Sequence, residues 1–301
     1  MEILDRFHGC LLGLACGDAV GTTVEFSARG TFKPVMDMVG GGPFDLKPGQ
    51  WTDDTSMALC LATSLAETGR FDARDQMLRY CRWMDQGYLS STDDCFDIGT
   101  TVEDALQRFK ESGEAFSGST NPRAAGNGCL MRLAPIPMYF FSDRELAIKR
   151  SADSARTTHG APECIDASKL FGAILHRALG GADKDAVLGG HGVSDAEISS
   201  ASVRSIAKGT YLQKSEVDIR GTGYVVDSLE AALWCFATTT SFKSAILKAA
   251  NLGDDADTTA AICGQVAGAF YGIAGIPKGW LDVLAMADEI RSLAGQLAVA
   301  K

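Results

Sequence analysis

The sequence predicts an all-α fold, a multi-helix bundle, and three observations carry that expectation. Apolar residues recur at helical spacing along most of the chain, alternating strand-like runs are nearly absent, and two segments carry glycine at every fourth residue. A half-buried strand repeats every two residues and a half-buried helix about every 3.6, so the two patterns separate cleanly.

Taken in chain order, the first helical run places Phe7, Leu11 and Leu14 at i, i+4 and i+7. Gly9, Gly13, Gly17 and Gly21 form a row through the same segment. Each glycine costs a soluble helix about 1 kcal/mol against alanine, so a row of them suits a tight core where another backbone comes close. Further runs hold Met57, Cys60, Leu61 and Leu65; then Val102, Ala105, Leu106 and Phe109; then Ala167, Phe171, Ile174, Leu175 and Ala178; then Val226, Leu229, Leu233 and Phe236. A second glycine row, Gly264, Gly268 and Gly272, lies in the apolar stretch 260–276. That stretch is broken by Gln265 and is short for a membrane span, so it reads as a buried helix. Segments 27–50, 111–128 and 180–223 are irregular and rich in Gly, Ser or Pro. Long loops of this kind are often functional surfaces. No linker or repeat divides the chain, and a single domain over 1–301 is expected.

Composition narrows the function classes. A hydrophobic fraction of 46% and a charged fraction of 22% exclude bulk disorder. A formal charge of −10 argues against a nucleic-acid or anionic-membrane binder acting through its whole surface. Nine cysteines occur with no C-x-x-C, and most sit in apolar stretches. That usage suits a reduced cytoplasmic protein rather than a disulfide scaffold or a zinc site. The opening MEILDRFHGC carries acids and no basic n-region, unlike a secretory signal. A monomer is expected.

Three clusters carry chemistry. Trp51-Thr52-Asp53-Asp54-Thr55 precedes the run from Met57, so it opens a helix. Thr and Asp are ordinary caps there, but capping needs one such residue and four stand in a row. Gly253-Asp254-Asp255-Ala256-Asp257-Thr258-Thr259 opens the helix of the second glycine row. Three carboxylates within four residues, followed at once by an apolar helix, are costly to bury without a cation. Asp and Thr supply hard oxygen ligands suited to Mg²⁺, Mn²⁺ or Ca²⁺, with no Cys or His interleaved to favour zinc. Two acidic helix starts can meet to clamp one or two divalent ions. The third cluster, 17–26, holds Glu25 between Val24 and Phe26; from composition alone it reads as a solvated side chain.

Together these segments resemble the ADP-ribosylglycohydrolase family. The matching stretches are GCLLGLACGDAVGTTVEF (9–26), KPGQWTDDTSM (47–57), AGNGCLMR (125–132), TTH (157–159) and NLGDDADTTAA (251–261), which stand in the family's order over most of the chain. The resemblance implies an all-helical fold with a binuclear centre of two divalent cations, Mg²⁺ or Mn²⁺, in a cleft. By motif position Thr52, Asp53 and Asp54 bind metal from the first helix start, and Asp255, Asp257 and Thr258 from the second. Asp257 lies at the family's bridging ligand, and Asp254 stands where many members have glycine. Glu25 matches the catalytic glutamate. Gly126, Asn127, Gly128 and Met131 resemble the substrate loop, His159 a histidine lining the cleft, and Tyr224 an aromatic near the adenine. Apart from the resemblance, the 126–128 segment reads as a plain turn, and Tyr224 equally as a core residue. Gly99 and Thr100 fall in D-I-G-T-T (97–101), where Thr100 replaces an asparagine that borders the substrate in relatives.

The reaction so implied is hydrolysis of the bond at C1″ of an ADP-ribosyl group, with an ADP-ribosylated protein as partner. ADP-ribosylarginine is the first reading. O-linked (serine-type) or nucleobase-linked ADP-ribose is the second, and a non-catalytic ADP-ribose-binding member the third. The intact acidic motifs and Glu25 speak against the third.

Overall fold

The computed structural model describes residues 1–189 and 192–299. Among them the chain forms fourteen α-helices and no strand beyond isolated bridges, the class that the periodicity predicts. In order they are α1 (Ile3–Gly21), α2 (Asp53–Thr68), α3 (Ala73–Gln86), α4 (Thr100–Ser112), α5 (Pro135–Tyr139), α6 (Arg144–Arg156) and α7 (Pro162–Leu179). The remainder are α8 (Lys184–Gly189), α9 (Ala201–Ala207), α10 (Val225–Ala237), α11 (Phe242–Ala250), α12 (Ala256–Tyr271), α13 (Lys278–Val283) and α14 (Ala287–Ala298). The segment expected to be irregular over 180–223 holds α8 and α9, of 6 and 7 residues. Each is too short for apolar periodicity to register. Residues 190 and 191 of that segment, and 300 and 301 of the expected domain, lie outside the described residues.

The two glycine rows meet. A Cβ added at Gly9, Gly13, Gly17 or Gly21 would overlap the backbone of Gly268, Gly264, Ala260 or Ala256 respectively. The partners run in the reverse order, so α1 and α12 are antiparallel and touch backbone to backbone. This contact leaves no room for a methyl group. It fixes the C-terminal end of α1 against the first turn of α12, where Gly21 abuts Asp257. Gln265, midway along α12, is fully buried and satisfied: Oε1 accepts from Ala134 N at 2.8 Å, and Nε2 donates to Met131 O at 2.8 Å. These bonds tie the segment before α5 to the same seam.

Around the seam lies the main core, which draws on α1, α2, α7, α10, α11, α12 and α14. A second, smaller core forms on the other face of α2, where Met57 and Cys60 pack with Tyr80 and Trp83 of α3 and Val102, Leu106 and Phe109 of α4. Local signals set the ends of these elements. Asp72 caps α3, accepting from Arg74 N and Asp75 N at 3.1 Å each. Left-handed Gly69, Gly87 and Gly113 close α2, α3 and α4. No helix among the described residues is long and apolar enough to cross a membrane.

Candidate active site and metal centre

The acids that open α2 do not cap it. Asp18, the only charged residue of 9–21 and fully buried in α1, does so from across the core. Its Oδ1 accepts from Thr52 N at 2.9 Å, and its Oδ2 accepts from Thr55 N at 3.0 Å and Thr55 Oγ1 at 2.6 Å. With the first turn served by Asp18, the side chains of Asp53 and Asp54 are released for other work.

The two acidic helix starts meet at the end of the glycine seam. Thr258 Oγ1 donates to Asp54 Oδ1 at 3.2 Å. Thr52 Oγ1 lies 3.0 Å from Asp18 Oδ1 and 3.2 Å from Asp257 Oδ2. A hydroxyl has one hydrogen to give, so it serves only one of the two. Asp54 Oδ2 and Asp257 Oδ1 are buried with no hydrogen-bond partner. One oxygen each from Asp18, Asp54 and Asp257 lie within 4.8 Å of one another, and so do oxygens of Glu25, Asp97 and Asp257. Asp257 belongs to both groups.

Burial pushes every one of these carboxyls up, and for all but Asp18 the neighbouring carboxylates add to it. Asp53 and Asp54 rise well above the usual range, first through burial and then through Asp97 and Asp18 respectively. Asp257 rises through burial, Glu25 and Asp54. Asp97 is pushed up to about 7 by burial and the Asp18 and Asp255 charges. Asp18 reaches only about 6, because its bonds from Thr55 and Thr52 oppose the effect of burial. Glu25 is pushed up to about 9 by burial and then by Asp97, Asp255 and Asp18. Orphaned buried oxygens and an all-oxygen donor set fit a divalent cation, whose charge relieves the repulsion.

Above these acids opens a cleft of about 410 Å³, with Val102 and Met131 of the second core in its wall. Glu25, Asp53, Asp255, Asp257 and Thr258 line its acidic side; Gly99, Thr100, Gly126, Asn127, Gly128, Met131 and His159 line the rest. Thr52 and Asp54 lie fully buried beneath it. Asn127 Nδ2 donates to Asp255 Oδ2 at 2.8 Å, joining the glycine turn to the acids. A Cβ on Gly128 would stand 2.8 Å from His159 Cε1, so this close approach requires glycine.

His159 is oriented from behind. Arg132, fully buried, donates to Thr158 Oγ1 at 2.5 Å, and that oxygen lies 2.8 Å from His159 Nδ1. Arginine only donates, so the threonine turns its own hydrogen to Nδ1. Nε2, which faces the Gly126–Gly128 turn, then carries the ring hydrogen. Burial and Arg132 push the imidazole down to about 3, which keeps it neutral.

Two expected residues sit differently. Tyr224 lines an adjoining groove of about 370 Å³, which shares Gly126 and Gly223 with the cleft, and its hydroxyl donates to Glu163 Oε2 at 2.7 Å. It is 36% exposed, which excludes a core role. Asp254 has a left-handed backbone (φ 55), a conformation that glycine adopts without strain. Its carbonyl accepts from Phe26 N at 2.8 Å, and its own N–H donates to Ser27 O at 2.8 Å. Sequence reasoning passed over two acids, Asp18 and Asp97. The first stood out as a lone charge in an apolar glycine row; the second opened D-I-G-T-T.

The ADP-ribosylglycohydrolase family model matches residues 1–301. The chain is 44% identical over 296 residues to the ADP-ribosylarginine hydrolase Tri1 of Serratia proteamaculans (strain 568), covering 98% of this chain and 80% of the relative. It is 45% identical over 303 residues to the protein of the same name in Pseudomonas putida (strain GB-1), covering 98% and 78%. A solved structure described as an ADP-ribosylglycohydrolase-related protein complex superposes with a TM-score of 0.88 at 41% identity, over 99% of this chain and 98% of that one. Helical architecture, clustered acids and similarity along the whole length agree: this chain belongs to the ADP-ribosylglycohydrolase family.

Proposed function

We propose that this protein is a divalent-metal-dependent hydrolase that releases ADP-ribose from modified arginine side chains of proteins. The observation that carries the chemistry is Asp257, common to two carboxylate groups on the wall of a cleft that also holds Glu25. One residue in both groups supports two cations with Asp257 as the bridge. The names of the 44–45% identical relatives support arginine as the acceptor.

Thr52, Asp53, Asp54, Asp255, Asp257 and Thr258 hold the cations, Mg²⁺ or Mn²⁺, and Asp18 and Asp97 add charge from α1 and from the residues before α4. A bound cation supplies Lewis-acid polarisation and a template that orients the ribose hydroxyls. Glu25 takes the proton of the water that attacks C1″, which develops positive charge as the bond breaks. Its raised affinity for protons falls as positive charge enters the site. His159 Nε2–H donates to a ribose or diphosphate oxygen. The Gly126–Gly128 turn lets the backbone approach the ligand closely.

The whole chain acts as one domain, as a monomer. Its nine free cysteines suit the reducing cytoplasm. The test is product release from ADP-ribosylarginine and ADP-ribosylserine peptides after EDTA, with Mg²⁺ or Mn²⁺ restored. Cleavage of the arginine conjugate alone is expected. Cleavage of the serine conjugate alone would replace the acceptor, and full turnover without metal would end the cation reading.

A further inference from the structure

Three aromatic rings from three separate loops form one lip of the cleft, and none has a part in the chemistry proposed above. Phe26 lines the cleft yet is 68% exposed. Its ring centroid lies 6.4 Å from that of Phe44, which lies 5.2 Å from that of Phe96. Phe26 directly follows Glu25, so the lip stands on the side of the reacting centre.

Two further observations set this lip apart. Phe26 has a left-handed backbone (φ 59), an outlier for a bulky residue, held by the bond from its N–H to Asp254 O. Asp45, Asp93 and Asp97, on the two loops that carry Phe44 and Phe96, share that conformation. Asp45, Asp93 and Asp94 are exposed and lie within three residues of Phe44 or Phe96 along the chain. The exposed ring of Phe26, backed by the half-buried rings of Phe44 and Phe96, matches a planar, weakly hydrated cation. A guanidinium stacks on aromatic rings in this way, whereas an ammonium is compact and strongly hydrated, and a serine hydroxyl carries no charge.

We infer that the Phe26–Phe44–Phe96 lip receives the acceptor arginine, stacking its guanidinium while the neighbouring carboxylates draw in its basic surroundings. The inference rests on the arginine reading given above. It makes the lip, and not the ADP-ribose cleft, the element that selects the acceptor.

The experiment uses the full chain with Mn²⁺, an ADP-ribosylarginine peptide and free ADP-ribose. Phe44→Ala is the first variant because Phe44 does not line the cleft; Phe26→Ala and Phe26→Trp follow. Removing a ring should raise KM for the arginine peptide roughly 3- to 30-fold, the span of a cation–π contact. Calorimetric affinity of Phe44→Ala for ADP-ribose should stay within twofold, and Phe26→Trp should retain the low KM. Asp93→Asn with Asp94→Asn should raise KM more at low salt than at high salt. An unchanged KM in both alanine variants, or an equal loss of ADP-ribose affinity in Phe44→Ala, would overturn the lip while leaving the arginine reading intact. Wild-type protein that binds ADP-ribose but leaves the arginine peptide uncut would overturn the functional reading, and the occupant of the lip with it.

Discussion

Along the α1–α12 seam and at its open end, the same two helices do opposite things. In the seam, glycine and alanine remove side chains so that backbones touch, and the buried polar atoms of Gln265 are paired. At the mouth, only a few residues further, carboxylates crowd together and Asp54 Oδ2 and Asp257 Oδ1 have no partner. The seam is closed and complete in itself. The mouth is costly as it stands and becomes favourable only with something positive in it. A close-packed scaffold is what allows it to persist, because interiors yield little to local repulsion.

The largest effect should come from the mouth's reactive member. Glu25→Gln keeps shape and hydrogen bonding but loses proton acceptance, so turnover should fall roughly 10²- to 10⁴-fold. Affinity for ADP-ribose should change much less; single-turnover kinetics and calorimetry would show both. A loss of binding in proportion to turnover would make Glu25 a positioning residue.

Next comes removal of the cation. EDTA should lower the melting temperature, since an ion that binds only the folded state adds about 2.7 to 4.1 kcal/mol at 100 to 1,000 times its Kd. Asp257→Asn should erase that metal-dependent shift while leaving the helicity of the metal-free protein unchanged by circular dichroism. If metal still raises the melting temperature of Asp257→Asn by the wild-type amount, Asp257 is not the bridge.

The mouth should also give the metal-free protein an inverted pH profile. Glu25 and Asp97 hold their protons up to about 9 and 7 when folded, and release them near 4 when unfolded. Their contribution is therefore fully present below about pH 4 and is lost as pH rises from there, through about 7 for Asp97 and about 9 for Glu25. Denaturant melts of the EDTA-treated protein should show stability falling over that window, and saturating Mn²⁺ should flatten the fall. A metal-free protein that grows more stable from pH 6 to 9 would contradict the crowding.

The smallest effect belongs to the seam. Gly17→Ala pushes a methyl into the backbone of Ala260 and should cost about 1 to 3 kcal/mol, as overpacking does. Unlike the mouth variants, it should lower the melting temperature by a similar amount with and without metal. An effect seen only with metal present would mean that seam and mouth are not separable.

Much of this was legible in the residues because the signals are local. Helical periods, two glycine rows and two acidic helix starts each sit within a few turns of chain. That the two rows pair, and antiparallel, is decided by the tertiary structure. Asp18 and Asp97 were not legible as site residues, because their roles depend on partners that only folding brings near. Asp18 acts on Thr52 and Thr55, over 30 residues away. The tautomer of His159 depends on Arg132. For Tyr224 the residues leave a ligand-facing aromatic and a core residue equally open, and only its exposure in the groove beside the cleft excludes the core.

By itself, then, the sequence determined the all-α class, the glycine rows, the two acidic helix starts and the position of Glu25 after the first row. Each is a property of contiguous residues and of helix geometry. Only the tertiary structure decided that Asp18 caps α2, that Asp257 joins two carboxylate groups, and that Phe26, Phe44 and Phe96 share one lip. The physical reason is that hydrogen bonds, charge repulsion and ring contacts act over a few ångströms of space, whatever the distance along the chain.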